Sequence, residues 1–207
     1  EKAINSLIAY PALWGANALL VRSPDGFQQM ALFSAANSLR IMVLFVPAIV
    51  NNVSLSVLSH QRGAADAARY RRVFWTNLGV TAAIVLGGAL AVVLVGPWLL
   101  GAFGRDFRAG YPVLLVLMAS TLPETLVASA IQIAQSRERM WLWCVSVVLP
   151  CYATLIALAA MLSTSMGARG LAWSYTGAMI VSLGAAALVL WRIGVWGEGP
   201  APVDADD

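Results

Sequence analysis

The chain has 207 residues, of which 60% are hydrophobic and 11% are charged, and its formal net charge at pH 7 is +3. Soluble domains carry about 25% charged residues, so this composition excludes a soluble globular protein and indicates an integral membrane protein. The positive charge comes from short arginine clusters between apolar runs, a pattern that is typical of cytoplasmic membrane loops and does not indicate nucleic-acid binding.

Six apolar stretches are long enough to cross a bilayer, because a helical span needs about 20 apolar residues. In chain order they cover residues 3–21, 27–59, 73–100, 111–135, 140–163 and 170–191. The predicted fold is therefore all-α, with six transmembrane helices. The remaining residues, 193–207, include two prolines and three aspartates and are predicted to form a disordered cytoplasmic tail.

The basic residues lie unequally at the two ends of these helices. Eight fall on one side of the membrane: Lys2, Arg62, Arg69, Arg71, Arg72, Arg137, Arg139 and Arg192. Four fall on the other: Arg22, Arg105, Arg108 and Arg169. The positive-inside rule therefore predicts that both termini of this segment are cytoplasmic. Because the chain begins with Glu1 and has no cleavable leader pattern, we expect a fragment, or one half of a longer protein.

Arg40 is the most informative single residue. It stands directly before Ile41–Ser59, a stretch of 19 residues without charge. A charge within a span costs several kcal/mol unless it has a partner, water or a function. At 100° per residue, Arg40 shares one helical face with Asn37 and Asn51. Three interpretations are open: the side chain extends to the headgroups, pairs with Glu124, or lines a hydrophilic cavity.

Polar residues also share faces in two other spans. Glu124 and Gln132 lie on one face of the fourth span, and Tyr10, Trp14 and Asn17 lie on one face of the first. Glu124 is the one acidic residue within a predicted span, so it is a candidate for burial between helices, for the cavity, or for coupling to a proton or cation.

The sequence contains no catalytic pattern. It has no Ser/His/Asp set, no acidic pair at metal-ligand spacing, no phosphate-binding glycine loop and no nucleotide-binding motif. We therefore expect neither an enzyme nor a primary pump, and no metal or cofactor. A transporter driven by a gradient or by its substrate fits this pattern better.

Five segments resemble a known family of membrane proteins. They read WGANALLVR at Trp14–Arg22, DGFQQMALFSAANSLR at Asp25–Arg40, FVPAIV at Phe45–Val50, LSVLS at Leu55–Ser59 and GARGLAWSY at Gly167–Tyr175. The first four resemble the seventh and eighth helices of lipid-linked oligosaccharide flippases, the O-antigen and polysaccharide exporters of the multidrug/oligosaccharidyl-lipid/polysaccharide superfamily. The last is similar to the start of their twelfth helix. One departure is Ser56, which stands where the family often has proline.

The resemblance implies that this chain is the C-terminal six-helix half of a twelve-helix, two-bundle transporter in a bacterial inner membrane. Its partners would be the N-terminal half, the membrane lipids and a polyprenyl-pyrophosphate-linked oligosaccharide, which alternating access would move between leaflets for cell-surface polysaccharide biosynthesis. Arg40, Asn37 and Asn51 would face the cavity, since guanidinium binds pyrophosphate or acidic sugars well. The aromatic and amide face of the first span would stack on sugars and bond to them.

Two other functions remain open from the sequence. The first is a cation-coupled multidrug antiporter of the same superfamily, in which Glu124 would be the coupling site. The second is a membrane-embedded scaffold subunit without transport activity, in which the polar faces would pack against each other and leave no cavity.

Overall fold

A computed structural model describes residues 2–23, 25–60, 67–136 and 140–192 of the chain. Side chains are described for residues 7–23, 25–49, 72, 75–135 and 140–192. Within these ranges the regular structure is helical throughout, with no strand. The predicted tail, residues 193–207, lies outside them.

Six helices follow one another along the chain. They are α1 (Lys2–Val21), α2 (Gly26–His60), α3 (Ala67–Phe103), α4 (Tyr111–Ser136), α5 (Met140–Met166) and α6 (Ala168–Arg192). A 3₁₀ helix, Arg105–Gly110, joins α3 to α4. Helix α3 begins six residues before the predicted third span, within the connection left between the predicted second and third spans. Its alanines and arginines favour helix and continue it beyond the apolar run.

Five of these helices contain segments that are long and apolar enough to cross a membrane. The segments are Gly26–Ile49, Trp75–Phe103, Arg105–Gln135, Met140–Met166 and Ala168–Arg192. A shorter apolar helical segment, Leu7–Val21, belongs to α1. Large apolar side chains cover the outer surface, among them Met42, Leu94 and Trp191. This combination confirms the predicted class, an all-α membrane protein.

The helices form two layers of three. Helix α2 packs between α1 and α3 in one layer, and α6 packs between α5 and α4 in the other. The layers meet where α1 contacts α5, where α2 contacts α4 and α6, and where α3 contacts α4. The shared core is built from buried apolar residues such as Leu20, Leu39, Leu117, Leu155 and Leu171. Helices α2, α4 and α6 therefore meet at the centre of the bundle.

Two of the prolines inside the helices have identifiable effects on the backbone around them. Pro97 has no N–H, so the carbonyl of Val93 loses its usual partner four residues later. The hydroxyl of Tyr111 on α4 donates to that carbonyl at 3.2 Å. In α5, a single π-helical turn precedes Pro150, and the N–H of Leu149 donates to the carbonyl five residues back. The carbonyl that Pro97 leaves without its helical partner is thus satisfied inside the protein, as a lipid environment requires.

The turn between α5 and α6 is very tight and is held against α2. Gly167 has φ +56°, a conformation that glycine adopts without strain, and its N–H donates to the carbonyl of Ser163 at 3.0 Å. The N–H of Ala168 donates to Oε1 of Gln29 at 3.0 Å. A Cβ at Gly170 would lie 2.1 Å from the carbonyl oxygen of Leu162, so only glycine lets the two helices approach this closely.

Candidate functional site

Arg40 is a buried arginine near the middle of α2. Its exposed fraction is 7%, whereas the other arginines whose side chains are described are exposed. Its Nε donates to Oδ1 of Asn37, one turn earlier, at 2.9 Å. The side chain therefore runs back toward the helix N-terminus, as helical side chains do. Arg40 points into the bundle, so the hypothesis that it extends to the headgroups is wrong.

The charge of Arg40 is balanced by Glu124 on the neighbouring helix α4. Nη1 of Arg40 donates to Oε2 of Glu124, and the two residues are 84 positions apart in the sequence. The Glu124 side chain is 27% exposed and that of Arg40 is 8% exposed. The pair that the sequence offered as one of three interpretations is thus present in the structure, and its acidic member is the more accessible.

Tyr175 on α6 contacts both charged groups. Its hydroxyl donates to Oε1 of Glu124 at 3.2 Å, and its ring lies 4.3 Å from Cζ of Arg40. A guanidinium at this distance from an aromatic face is attracted by the ring quadrupole. Tyr175 therefore closes a three-helix network, called here the Arg40 network: Asn37 and Arg40 on α2, Glu124 on α4 and Tyr175 on α6.

The network lies deep in the apolar part of the bundle. Its guanidinium is level with Asn37, eleven residues from Gly26, which corresponds to about 16 Å at 1.5 Å per residue. Glu124 lies halfway along the 26 residues of α4. Since a hydrocarbon core is about 30 Å thick, a membrane surface at the level of Gly26 would put the pair near mid-membrane. A charge is tolerated at that depth because it is paired. Removing one partner would leave the other as an unpaired buried charge, which would strongly destabilise the protein.

Three other polar residues of α4 form hydrogen bonds within their own helix. The buried hydroxyls of Thr121, Thr125 and Ser129 each donate to a backbone carbonyl three or four residues earlier. Gln132 is buried, two turns beyond Glu124. These three hydrogen bonds stay within α4, whereas the Arg40–Glu124 contact joins α4 to α2.

The remaining predicted residues lie apart from the Arg40 network. Tyr10 is 72% exposed and Trp14 is 75% exposed, on the outward face of α1. Asn17 is half-buried. In the described contacts, no hydrogen bond joins these three residues to Arg40 or Glu124. Asn51 belongs to α2, but its side chain lies outside the described set, so its predicted role stays a prediction.

Tyr175 is the member of the network that sequence reasoning missed. It lies in an otherwise apolar and small-residue stretch, where tyrosine has no distinguishing pattern. A weak signal was available, since Tyr175 ends the GARGLAWSY segment that carried part of the family resemblance. That segment marked a helix start and gave no reason to connect it with Arg40.

Two relatives resemble part of this chain. The EPS I polysaccharide export inner membrane protein EpsE of Ralstonia nicotianae is 30% identical over 121 residues. Part of this chain is therefore similar to polysaccharide export proteins. The protein of the same name from Ralstonia solanacearum is 31% identical over 121 residues. The matched stretch is 58% of this chain and 26% of each relative. No protein-family model matches the chain, and no solved structure matches it significantly.

Proposed function

We propose that this chain is the C-terminal six-helix half of a polysaccharide exporter of the bacterial inner membrane. The observation that carries the proposal is its similarity over 121 residues to two polysaccharide export inner membrane proteins. Five helical segments able to cross a membrane, around a buried charged network, support a transport role. The cargo we propose is a polyprenyl-pyrophosphate-linked oligosaccharide, moved between leaflets by alternating access for surface polysaccharide synthesis, with no enzymatic step.

In this proposal Arg40 binds an acidic part of the cargo. A guanidinium near mid-membrane, attached to its helix through Asn37, offers charged N–H donors to phosphate or carboxylate oxygens. Asn51 would add a further polar group along the same helix, and Gln132 would line the cavity beside α4. Lipid-linked glycans carry such acidic groups, which neutral drugs do not.

The exposed aromatic face of α1 supports a role in sugar contact. Tyr10 and Trp14 are large, outward-facing and one turn apart, with Asn17 a further turn along. Aromatic faces and amides suit stacking and hydrogen bonding to sugars. We propose that this face meets the cavity formed with the N-terminal half of the transporter.

One rival function is a cation-coupled antiporter in which Glu124 binds the cation. The described geometry weighs against it, because both carboxylate oxygens of Glu124 already have partners, Arg40 and Tyr175. A coupling carboxylate needs to be released before it can bind a proton or a metal cation. In the exporter proposal Arg40 carries the binding role, and Glu124 need not bind a proton or a metal cation.

A complementation assay tests the proposed function. In a strain that lacks the gene, the full-length protein should restore surface polysaccharide, and Arg40→Ala should abolish it. The matched control is Arg22→Ala, which removes an exposed arginine at the end of α1. Loss of export in Glu124→Gln but not in Arg40→Ala would favour the antiporter. Normal surface polysaccharide without the gene would refute the exporter.

The proposed membrane orientation has its own test. Both termini of this segment are proposed to be cytoplasmic, on the basis of the arginine distribution. A reporter that is active only in the cytoplasm, fused after Arg192, should be active. A reporter that is active only in the periplasm should report after Asp106, in the connection between α3 and α4.

A further inference from the structure

The contact between Arg40 and Glu124 uses only part of the binding capacity of either group. A carboxylate can accept two parallel bonds from a guanidinium, which is the strong bidentate arrangement. Here the two oxygens are divided: Oε2 accepts from Arg40 and Oε1 accepts from Tyr175. Glu124 therefore binds Arg40 through one oxygen. A ligand with several oxygens can form more hydrogen bonds with the guanidinium than Glu124 does.

The two ends of the ion pair differ in accessibility. The Tyr175 ring lies against the guanidinium and Asn37 occupies Nε, so the Arg40 side is enclosed. The carboxylate side is more open, since Glu124 is 27% exposed. One turn further along α4, Ala128 is exposed, and Gln135 on the same face is partly exposed. Of the two charged side chains, Glu124 is therefore the more accessible to a ligand.

The geometry points to Glu124 as an internal competitor. We propose that its carboxylate occupies an oxyanion-binding position on Arg40, and that an acidic group of the exported molecule takes this position during transport. Tyr175 sets how tightly Glu124 is retained, because its hydroxyl holds the second carboxylate oxygen. This inference rests on the proposed export function and adds to it the group that the acidic ligand displaces, Glu124, and the residue that controls the displacement, Tyr175.

Displacement has a structural consequence for the bundle. The Arg40–Glu124 contact joins α2 in one layer to α4 in the other. Once an oxyanion takes the guanidinium, α4 loses this link, while Glu124 keeps the Tyr175 hydroxyl and its exposed side. Binding adds negative charge to the site: the incoming anion neutralises Arg40, and the released Glu124 carboxylate, which is 27% exposed, then depends on the Tyr175 hydroxyl and on water for its stabilisation.

Calorimetric titration of the purified full-length protein tests the inference. Inorganic pyrophosphate and glucuronate serve as probes, since one represents a lipid-carrier phosphate and the other an acidic sugar. Glu124→Gln removes the competitor and should bind at least one probe about 10-fold more tightly than the unaltered protein, a size set by losing a charge-assisted hydrogen bond. Tyr175→Phe keeps the aromatic face and the ionic pair, and should tighten binding by about 2- to 5-fold.

Two control variants separate specific effects from general ones. Asp106→Asn removes one exposed carboxylate in the connection between α3 and α4, outside the Arg40 network, and should leave the affinity for both probes unchanged. Tyr111→Phe removes an interhelical hydroxyl, and should destabilise the protein without changing affinity. Arg40→Ala should abolish the binding that Glu124→Gln strengthens.

The outcomes are distinct for each probe. If only pyrophosphate binds more tightly, the position is assigned to a phosphate. If only glucuronate binds more tightly, it is assigned to the carboxylate of an acidic sugar. If both bind more tightly, it is assigned to oxyanions in general. Equal or weaker binding of both probes in Glu124→Gln and Tyr175→Phe overturns the inference. That result leaves the exporter proposal intact, because export is tested by complementation. Conversely, failed complementation with tightened binding refutes the exporter and retains the oxyanion position.

Discussion

A double-mutant cycle on Arg40 and Glu124 gives the most direct test of the network. Glu124→Gln leaves a buried cation without its charged partner, whereas Arg40→Met removes the cation and keeps an apolar side chain of similar length. The double variant contains neither charge. If the pair is energetically coupled, the double variant should be more stable than the sum of the two single changes predicts.

The expected sizes follow from burial. Breaking a fully buried pair costs about 3–5 kcal/mol. Because Glu124 is 27% exposed, we take a lower value for Glu124→Gln, about 2–3 kcal/mol. Arg40→Met should cost about 1–2 kcal/mol, since the more exposed carboxylate can reach water. The double variant should lose about 1–2 kcal/mol, which gives a coupling energy of about 2–3 kcal/mol.

Thermal unfolding in detergent measures these differences. At about 2–4 °C per kcal/mol for a chain of this size, Glu124→Gln should lower Tm by about 4–12 °C. A dye that fluoresces on reaction with thiols can report unfolding, because Cys151 is buried and Cys144 is half-buried in the folded state. The control cycle pairs Glu124→Gln with Arg22→Met and should be additive. Additivity within about 0.5 kcal/mol in the Arg40 cycle would refute energetic coupling of the pair.

Three further predictions concern packing and backbone satisfaction. Tyr111→Phe should cost about 1–3 kcal/mol, because the carbonyl of Val93 loses its donor in an apolar setting; an unchanged Tm would contradict this. Gly170→Ala should cost more than about 2 kcal/mol by forcing α5 and α6 apart, whereas Gly184→Ala, which meets open space, should be neutral or slightly stabilising; equal Tm values for the two variants would refute the close approach. Thr81→Val should be neutral or stabilising by up to about 1 kcal/mol, since the Thr81 hydroxyl is buried and has no hydrogen-bond partner within the described residues; a clear loss of stability would reveal one.

The helical faces of α2 could be predicted because helical periodicity is regular. The sequence grouped Arg40 with Asn37, and the structure joins them by a hydrogen bond one turn apart. The same periodicity could not identify the helix that this face meets. Arg40 and Glu124 are 84 residues apart, and both α4 and α6 lie within reach of α2 in the bundle.

The sequence by itself determined that this is an all-helical membrane protein, where its apolar segments lie, and that Arg40 is exceptional. These properties depend on the local order of apolar and charged residues, which the cost of moving polar groups into lipid makes easy to interpret. Only the tertiary structure decided that Glu124 and Tyr175 complete the site. Their meeting depends on how three helices pack around one another, and that arrangement is set by many small side-chain contacts rather than by any one segment.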